Sequence, residues 1–220
     1  MDSSISAVQS VVVWALPVIF AITLHEVAHG WAARALGDPT ASKLGRLSLN
    51  PLKHVDPIGT VLLPGVLLLI GGFIFGWAKP VPVDARNFRN PRVDMALVAV
   101  AGPLSNLVMA LAWGLLFKYA VAVGAEQGLW YGLRLMARAG LIINISLMAL
   151  NMLPLPPLDG SRVLMGLLPE GAARSYSRLE PYGLFILMGL MAARLLGPIL
   201  YWPNLVSYTV IGRLLGMDLV

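Results

Sequence analysis

The stretch ITLHEVAHGWAARALG, residues 22–37, sets two histidines and a glutamate among residues that avoid water. His25 and His29 lie four positions apart, and on a helix positions i and i+4 share a face. Two imidazoles one turn apart can close on one zinc ion, each nitrogen about 2.0–2.1 Å from it. Glu26 projects beside them, where a carboxylate can take a proton from water activated by the metal. A plainer reading makes the trio a pair of core histidines hydrogen-bonded to a glutamate. The surroundings weigh against that reading, because ionisable groups inside an apolar segment are costly and usually functional.

Those surroundings extend through the chain. Of its 220 residues, 58% are hydrophobic and 12% charged, whereas soluble domains are roughly 25% charged. Five segments are apolar enough to enter a bilayer, for which about 20 residues suffice: 8–34, 58–77, 94–118, 129–153 and 182–201. The status of a sixth, 203–216, stays open. The first segment stops at Gly37-Asp38-Pro39, and the opening MDSSISAVQS lacks a basic region, so the segment is expected to be retained. The second contains Pro64, Gly65, Gly71, Gly72 and Gly76, poor material for a straight helix. The expected fold is an all-α polytopic membrane protein: one membrane-embedded domain over 1–220, a helical bundle with a re-entrant Gly/Pro-broken segment and a small β element. The β element is expected at Leu47-Ser48-Leu49 and as an edge strand in AKPVPVD, residues 78–84, where prolines cannot donate to a ladder. The net charge of +5 is scattered between apolar runs. Nucleic-acid binding would need a clustered basic face, so none is expected.

A catalytic zinc takes three protein ligands and leaves a fourth position for water. The chain has no cysteine, and its third histidine is His54. Carboxylates therefore come into question. Asp159 follows the fourth apolar segment in PPLDG, where prolines fix the backbone and Gly160 permits a turn. Alone it would read as a helix cap or Asx-turn. Beside a two-histidine site lacking a ligand, it is the best candidate.

Three motifs in order, HEVAH at 25–29, AGPLSN at 101–106 and NMLPLPPLDG at 151–160, resemble the site-2 proteases, the intramembrane zinc metalloproteases. The resemblance spans residues 20–165 and points to a short branch without PDZ or CBS domains. It implies that His25, His29 and Asp159 bind zinc, that Glu26 is the general base, and that Asn106 acts near the active site. An amide there could donate to an oxyanion or hold an extended substrate; its plain reading is an interhelical hydrogen bond. His54, in NPLKHVDPIGT, has two readings: an active-site neighbour serving as extra ligand or oxyanion donor, or a loop histidine bonded locally. The function implied is a zinc endopeptidase that cleaves single-pass membrane proteins within the lipid bilayer, placed as a multi-pass protein of a bacterial cell membrane. A zinc transporter and an inactive scaffold are the competing classes, and neither needs Glu26.

For Asp159 to reach the histidines, the first and fourth segments should run parallel, so 58–77 should leave and return on one side. The basic residues of loops 34–57, 78–92 and 160–181 then number eleven against three in 118–138. Arg34, Lys43, Arg46, Lys53, Lys79, Arg86, Arg89, Arg92, Arg162, Arg174 and Arg178 lie on one face, and Lys118, Arg134 and Arg138 on the other, with Glu126. Positive charge marks the cytoplasmic side. A substrate helix hides its carbonyls in its own hydrogen bonds and must unwind locally to be cut. The edge strand in 78–84 offers a surface for strand addition.

Overall fold

The computed structural model describes residues 6–62, 78–124 and 127–219. Three of the apolar segments fold as long helices. Helix α1 runs Ala7–Ala35 and is followed by a single turn, α2, Thr40–Lys43. Helix α3 spans Pro91–Ala122 and α4 spans Gly128–Asn151. By length and composition, Gln9–Ala35, Pro91–Ala122 and Gly128–Asn151 can each cross a membrane. Their outer faces carry Val11, Trp31, Leu104, Val108 and Leu115 exposed. Helices apolar all round suit a lipid surround rather than water.

Helix α1 ends where its sequence dictates. Gly37 takes a left-handed φ of 112°, and the Asp38 N–H reaches back to the Ala33 carbonyl at 2.8 Å, closing the last turn as glycine-terminated helices do. After α4 come three helices, α5 at Asp159–Leu167, α6 at Glu170–Ser177 and α7 at Glu180–Ala192. The final helix, α8, spans Leu196–Leu215. A break at 193–195, with Arg194 at φ 58°, falls inside the segment expected over 182–201. Helices α7 and α8 meet the length and hydropathy needed to cross a membrane only when taken together.

The expected β element is not present: the described residues contain no strand. A strand needs a ladder, and here side chains take its place. The Val81 N–H donates to Glu26 and the Asp84 N–H to Asp38. The Lys79 and Pro80 carbonyls accept from Arg46. The carbonyl of Ser48 accepts from His54. Pro80 and Pro82 have no N–H to offer a neighbouring strand. The segment 78–84 has no strand partner among the described residues.

Contacts group the chain into two compact units, Met1–Ala21 with Pro103–Asn151 and Gly197–Val220, and Ile22–Gly102 with Met152–Leu196. The first packs Ala110, Leu141, Ile145, Ile211 and Leu215 into a core flanked by Trp113 and Tyr208. In the second, Ala33, Phe88 and Val98 form the core. Asp38, fully buried, ties this unit together. Its carboxylate accepts from the N–H and hydroxyl of Thr40, from the Asp84 N–H at 2.8 Å and from the Asn87 amide at 2.7 Å.

The re-entrant segment expected over 58–77 lies outside the described residues from 63 onward, and so does Glu126. The flanks of that segment are described. His54 closes a 3₁₀ turn, Pro51–His54, and its carbonyl accepts from the Lys79 N–H at 2.9 Å.

Candidate metal centre

His25 and His29 sit one turn apart on α1, and their Nε2 atoms lie 3.0 Å from each other. The rings meet edge to face, with an interplanar angle of 88°. Asp159 opens helix α5 at its first residue, after Leu158 at the cap. It is therefore not the N-cap; the positive end of the helix dipole still favours its carboxylate. Its Oδ2 lies 3.1 Å from His25 Nε2 and 3.3 Å from His29 Nε2. Three ligand atoms thus form a nearly equilateral triangle.

Three observations test whether this triangle fits a metal. First, bonds of about 2.0–2.1 Å in a tetrahedral zinc site imply edges of about 3.3–3.4 Å between ligand atoms, close to the separations seen. Second, Asp159 Oδ2 is buried yet, among the described residues, has no hydrogen-bond donor aimed at it. An approach that is close but lacks the direction of a hydrogen bond is what atoms facing a common centre produce. Third, His29 Nδ1 lies 2.7 Å from the Val98 carbonyl. A carbonyl only accepts, so Nδ1 carries the proton and Nε2 turns its lone pair to the site, the tautomer a metal needs. The donor set of two imidazoles and one carboxylate fits zinc.

Two glycines make the arrangement possible. A Cβ on Gly102 would lie 2.4 Å from His29 Nε2 and 2.6 Å from His25 Cε1, so only glycine lets α3 approach the imidazoles. A Cβ on Gly160 would lie 2.3 Å from the Met152 carbonyl oxygen, so Gly160 lets the 152–160 turn close on itself and present Asp159. Gly102 stands in the AGPLSN motif at 101–106, but sequence reasoning gave it no role at the site.

The remaining residues are placed as follows. Glu26 is half-buried, and its Oε2 accepts the Val81 N–H at 2.9 Å. His54 is buried; its Nε2 donates to the Ser48 carbonyl at 2.8 Å, while Nδ1 has no partner among the described residues. It does not belong to the cluster of His25, His29 and Asp159, whose ligand atoms lie within 4.8 Å of one another. Asn106 belongs to the other compact unit and is wholly buried. Its Nδ2 donates to the Asn144 side chain at 2.9 Å and to the Ala21 carbonyl at 3.3 Å. Both amide hydrogens are thereby engaged between helices.

No family model and no solved structure matches the chain. Curated proteins do. The chain is 40% identical over 192 residues to "Putative zinc metalloprotease YwhC" of Bacillus subtilis, covering 86% of this chain and 84% of that protein. It is 29% identical over 190 residues to "Putative zinc metalloprotease Rip2" of Mycolicibacterium smegmatis, covering 84% and 70%. The Mycobacterium tuberculosis protein of the same name is 28% identical over 192 residues. The metal these relatives are named for suits the donors gathered here, and zinc is the cofactor of this chain. The chain belongs to the zinc metalloprotease family that includes YwhC.

Proposed function

We propose that the protein is an intramembrane endopeptidase of the site-2 type, a single multi-pass protease domain in a bacterial cell membrane. Its substrates would be single-pass membrane proteins. The observation that carries the reading is the seat of the site: two of the three candidate ligands and Glu26 lie within Gln9–Ala35, a helix able to cross a membrane. A metal site at that depth has little use unless the bond it serves is there too.

In this reading His25, His29 and Asp159 hold the metal, and Glu26 takes a proton from the attacking water and returns it to the leaving amine. Zinc, when bound, supplies a Lewis acid that polarises the carbonyl and lowers the pKa of water. The apolar surround limits bulk water, which strengthens each electrostatic contact. The bonded flanks of 55–78 support a segment that leaves and returns on one side of the membrane. Asn106, with both amide hydrogens engaged, fits a role in joining helices better than one at the oxyanion.

Glu26→Gln separates the classes. The variant should keep its zinc and lose cleavage of a reconstituted single-pass substrate by at least a hundredfold, the range of general-base effects. Zinc transport or scaffolding would survive the change. Full proteolysis by Glu26→Gln would sink the assignment of the base.

A further inference from the structure

Resting on the reading of Glu26 as the general base, we infer that Val81, through its backbone N–H, and Arg46 are positioning residues that fix the Glu26 carboxylate for catalysis. A glutamate has three rotatable side-chain bonds and two equivalent oxygens, so on an open helix face its carboxylate would wander. The Val81 N–H donates to Oε2 at 2.9 Å. That leaves Oε1 to handle the proton.

The local sequence makes this donor singular. Val81 stands between Pro80 and Pro82, neither of which has an N–H. Among residues 80–82 there is one backbone donor, and it goes to Glu26. Proline also holds φ near −65° and pushes the preceding residue to extended backbone, so the donor is fixed in direction. Val81 itself is buried, which pins the segment through its side chain.

The segment is held in turn by Arg46. One guanidinium nitrogen, Nη2, donates to the Lys79 carbonyl at 2.8 Å and the Pro80 carbonyl at 3.3 Å. The Nε of the same side chain is buried without a partner among the described residues, a cost that an ordinary surface arginine does not carry. The Lys79 N–H adds a bond to the His54 carbonyl. Residues 79–81 are thus gripped at two carbonyls and one N–H, and their remaining N–H in this run is spent on the base. The backbone that sequence reasoning offered to an incoming strand is occupied by the enzyme's own side chains.

The test uses the full-length zinc-loaded protein in detergent micelles. The substrate probe is a tagged single-pass apolar helix weakened by a central Asn-Pro pair. Wild type, Glu26→Gln, Val81→Pro, Val81→Ala and Arg46→Met are compared for kcat, KM and zinc content. Val81→Pro deletes the donor, and its kcat should fall on the order of a hundredfold, the scale of a misplaced reacting group. KM and zinc content should stay within about twofold of wild type. Val81→Ala keeps the N–H and should recover kcat to within about threefold. Arg46→Met should lower kcat about tenfold, again without a matching change in KM. Unchanged kcat in zinc-loaded Val81→Pro would overturn the inference. So would a rise in kcat, which would make the contact a brake. Loss of zinc in both Val81→Pro and Arg46→Met would overturn it too, because the contacts would then serve the fold. If wild type itself leaves the probe intact, or Glu26→Gln cuts it equally well, the proteolytic reading fails first and this inference with it.

Discussion

At the scale of single residues, the metal centre depends as much on what is missing as on what is present. His25, His29 and Asp159 are the candidate donors, but Gly102 supplies the room. A methyl group at 102 would stand 2.4 Å from His29 Nε2, and the atom it meets is a candidate ligand atom. Gly102→Ala is therefore expected to expel metal rather than unfold the chain. Purified wild type should carry one zinc per chain; Gly102→Ala should lose roughly 10–100-fold in zinc affinity, the scale of a disturbed ligand shell. Metal analysis and competition with a chelator would measure this, and full occupancy at wild-type affinity would refute it. The pattern HEVAH was legible as a metal motif because a helix fixes which residues share a face. Gly102 was not, because a glycine's reason for being there is a neighbour that only the fold brings close.

At the scale of elements, the loops bracketing 58–77 are organised around a buried carboxylate. Asp38 terminates α1, binds Thr40 at α2 and reaches across to the 3₁₀ turn Ala85–Asn87 through Asp84 and Asn87. Burial raises its pKa, but the hydrogen bonds from Thr40, Asp84 and Asn87 outweigh burial and leave it lowered. A carboxylate lowered by folding contributes stability fully above its unfolded pKa, about 3.9. That contribution is lost as pH falls through the folded value. Asp38→Asn should thus destabilise the protein by about 1–3 kcal/mol near neutrality, as loss of bonds to a buried charged acceptor does. The gap between wild type and variant should stay constant above about pH 4 and close below it. Thermal unfolding in detergent across pH 3–8 would follow it, and a gap that widened on acidification would contradict the assignment. The sequence offered Asp38 as part of a helix stop and no more. Likewise, proline-rich 78–84 read as an edge strand because extended backbone is what those residues favour. The sequence could not say that Glu26, Arg46 and Asp38 would take the ladder's place.

At the scale of the whole molecule, two bonded flanks bear on the proposed route of the chain through the membrane. His54 and Lys79 join by backbone, and Asp38 joins Asn87, so the chain on either side of 58–77 meets in one place. Lys43 and Arg89 should consequently face the same side of the membrane, and Gln127 the other. The chain has no cysteine, which makes single-cysteine labelling clean. Lys43→Cys and Arg89→Cys should react with an impermeant thiol reagent from the cytoplasmic side, and Gln127→Cys from outside. Labelling of 43 and 89 from opposite sides would establish a true crossing between them and remove the parallel arrangement of α1 and α4. By itself the sequence marked five apolar segments, three of which fold as long helices, together with the candidate ligands and the order of the motifs. Hydropathy and helical spacing are local properties, written in consecutive residues. Only the tertiary structure decided that Asp159, 130 positions beyond His29, stands 3.3 Å from it. It also decided that Asn106 spends its amide on Asn144, and that Glu26 is held by the one N–H in Pro-Val-Pro. Such pairings rest on where distant segments pack, and no local run of residues encodes that.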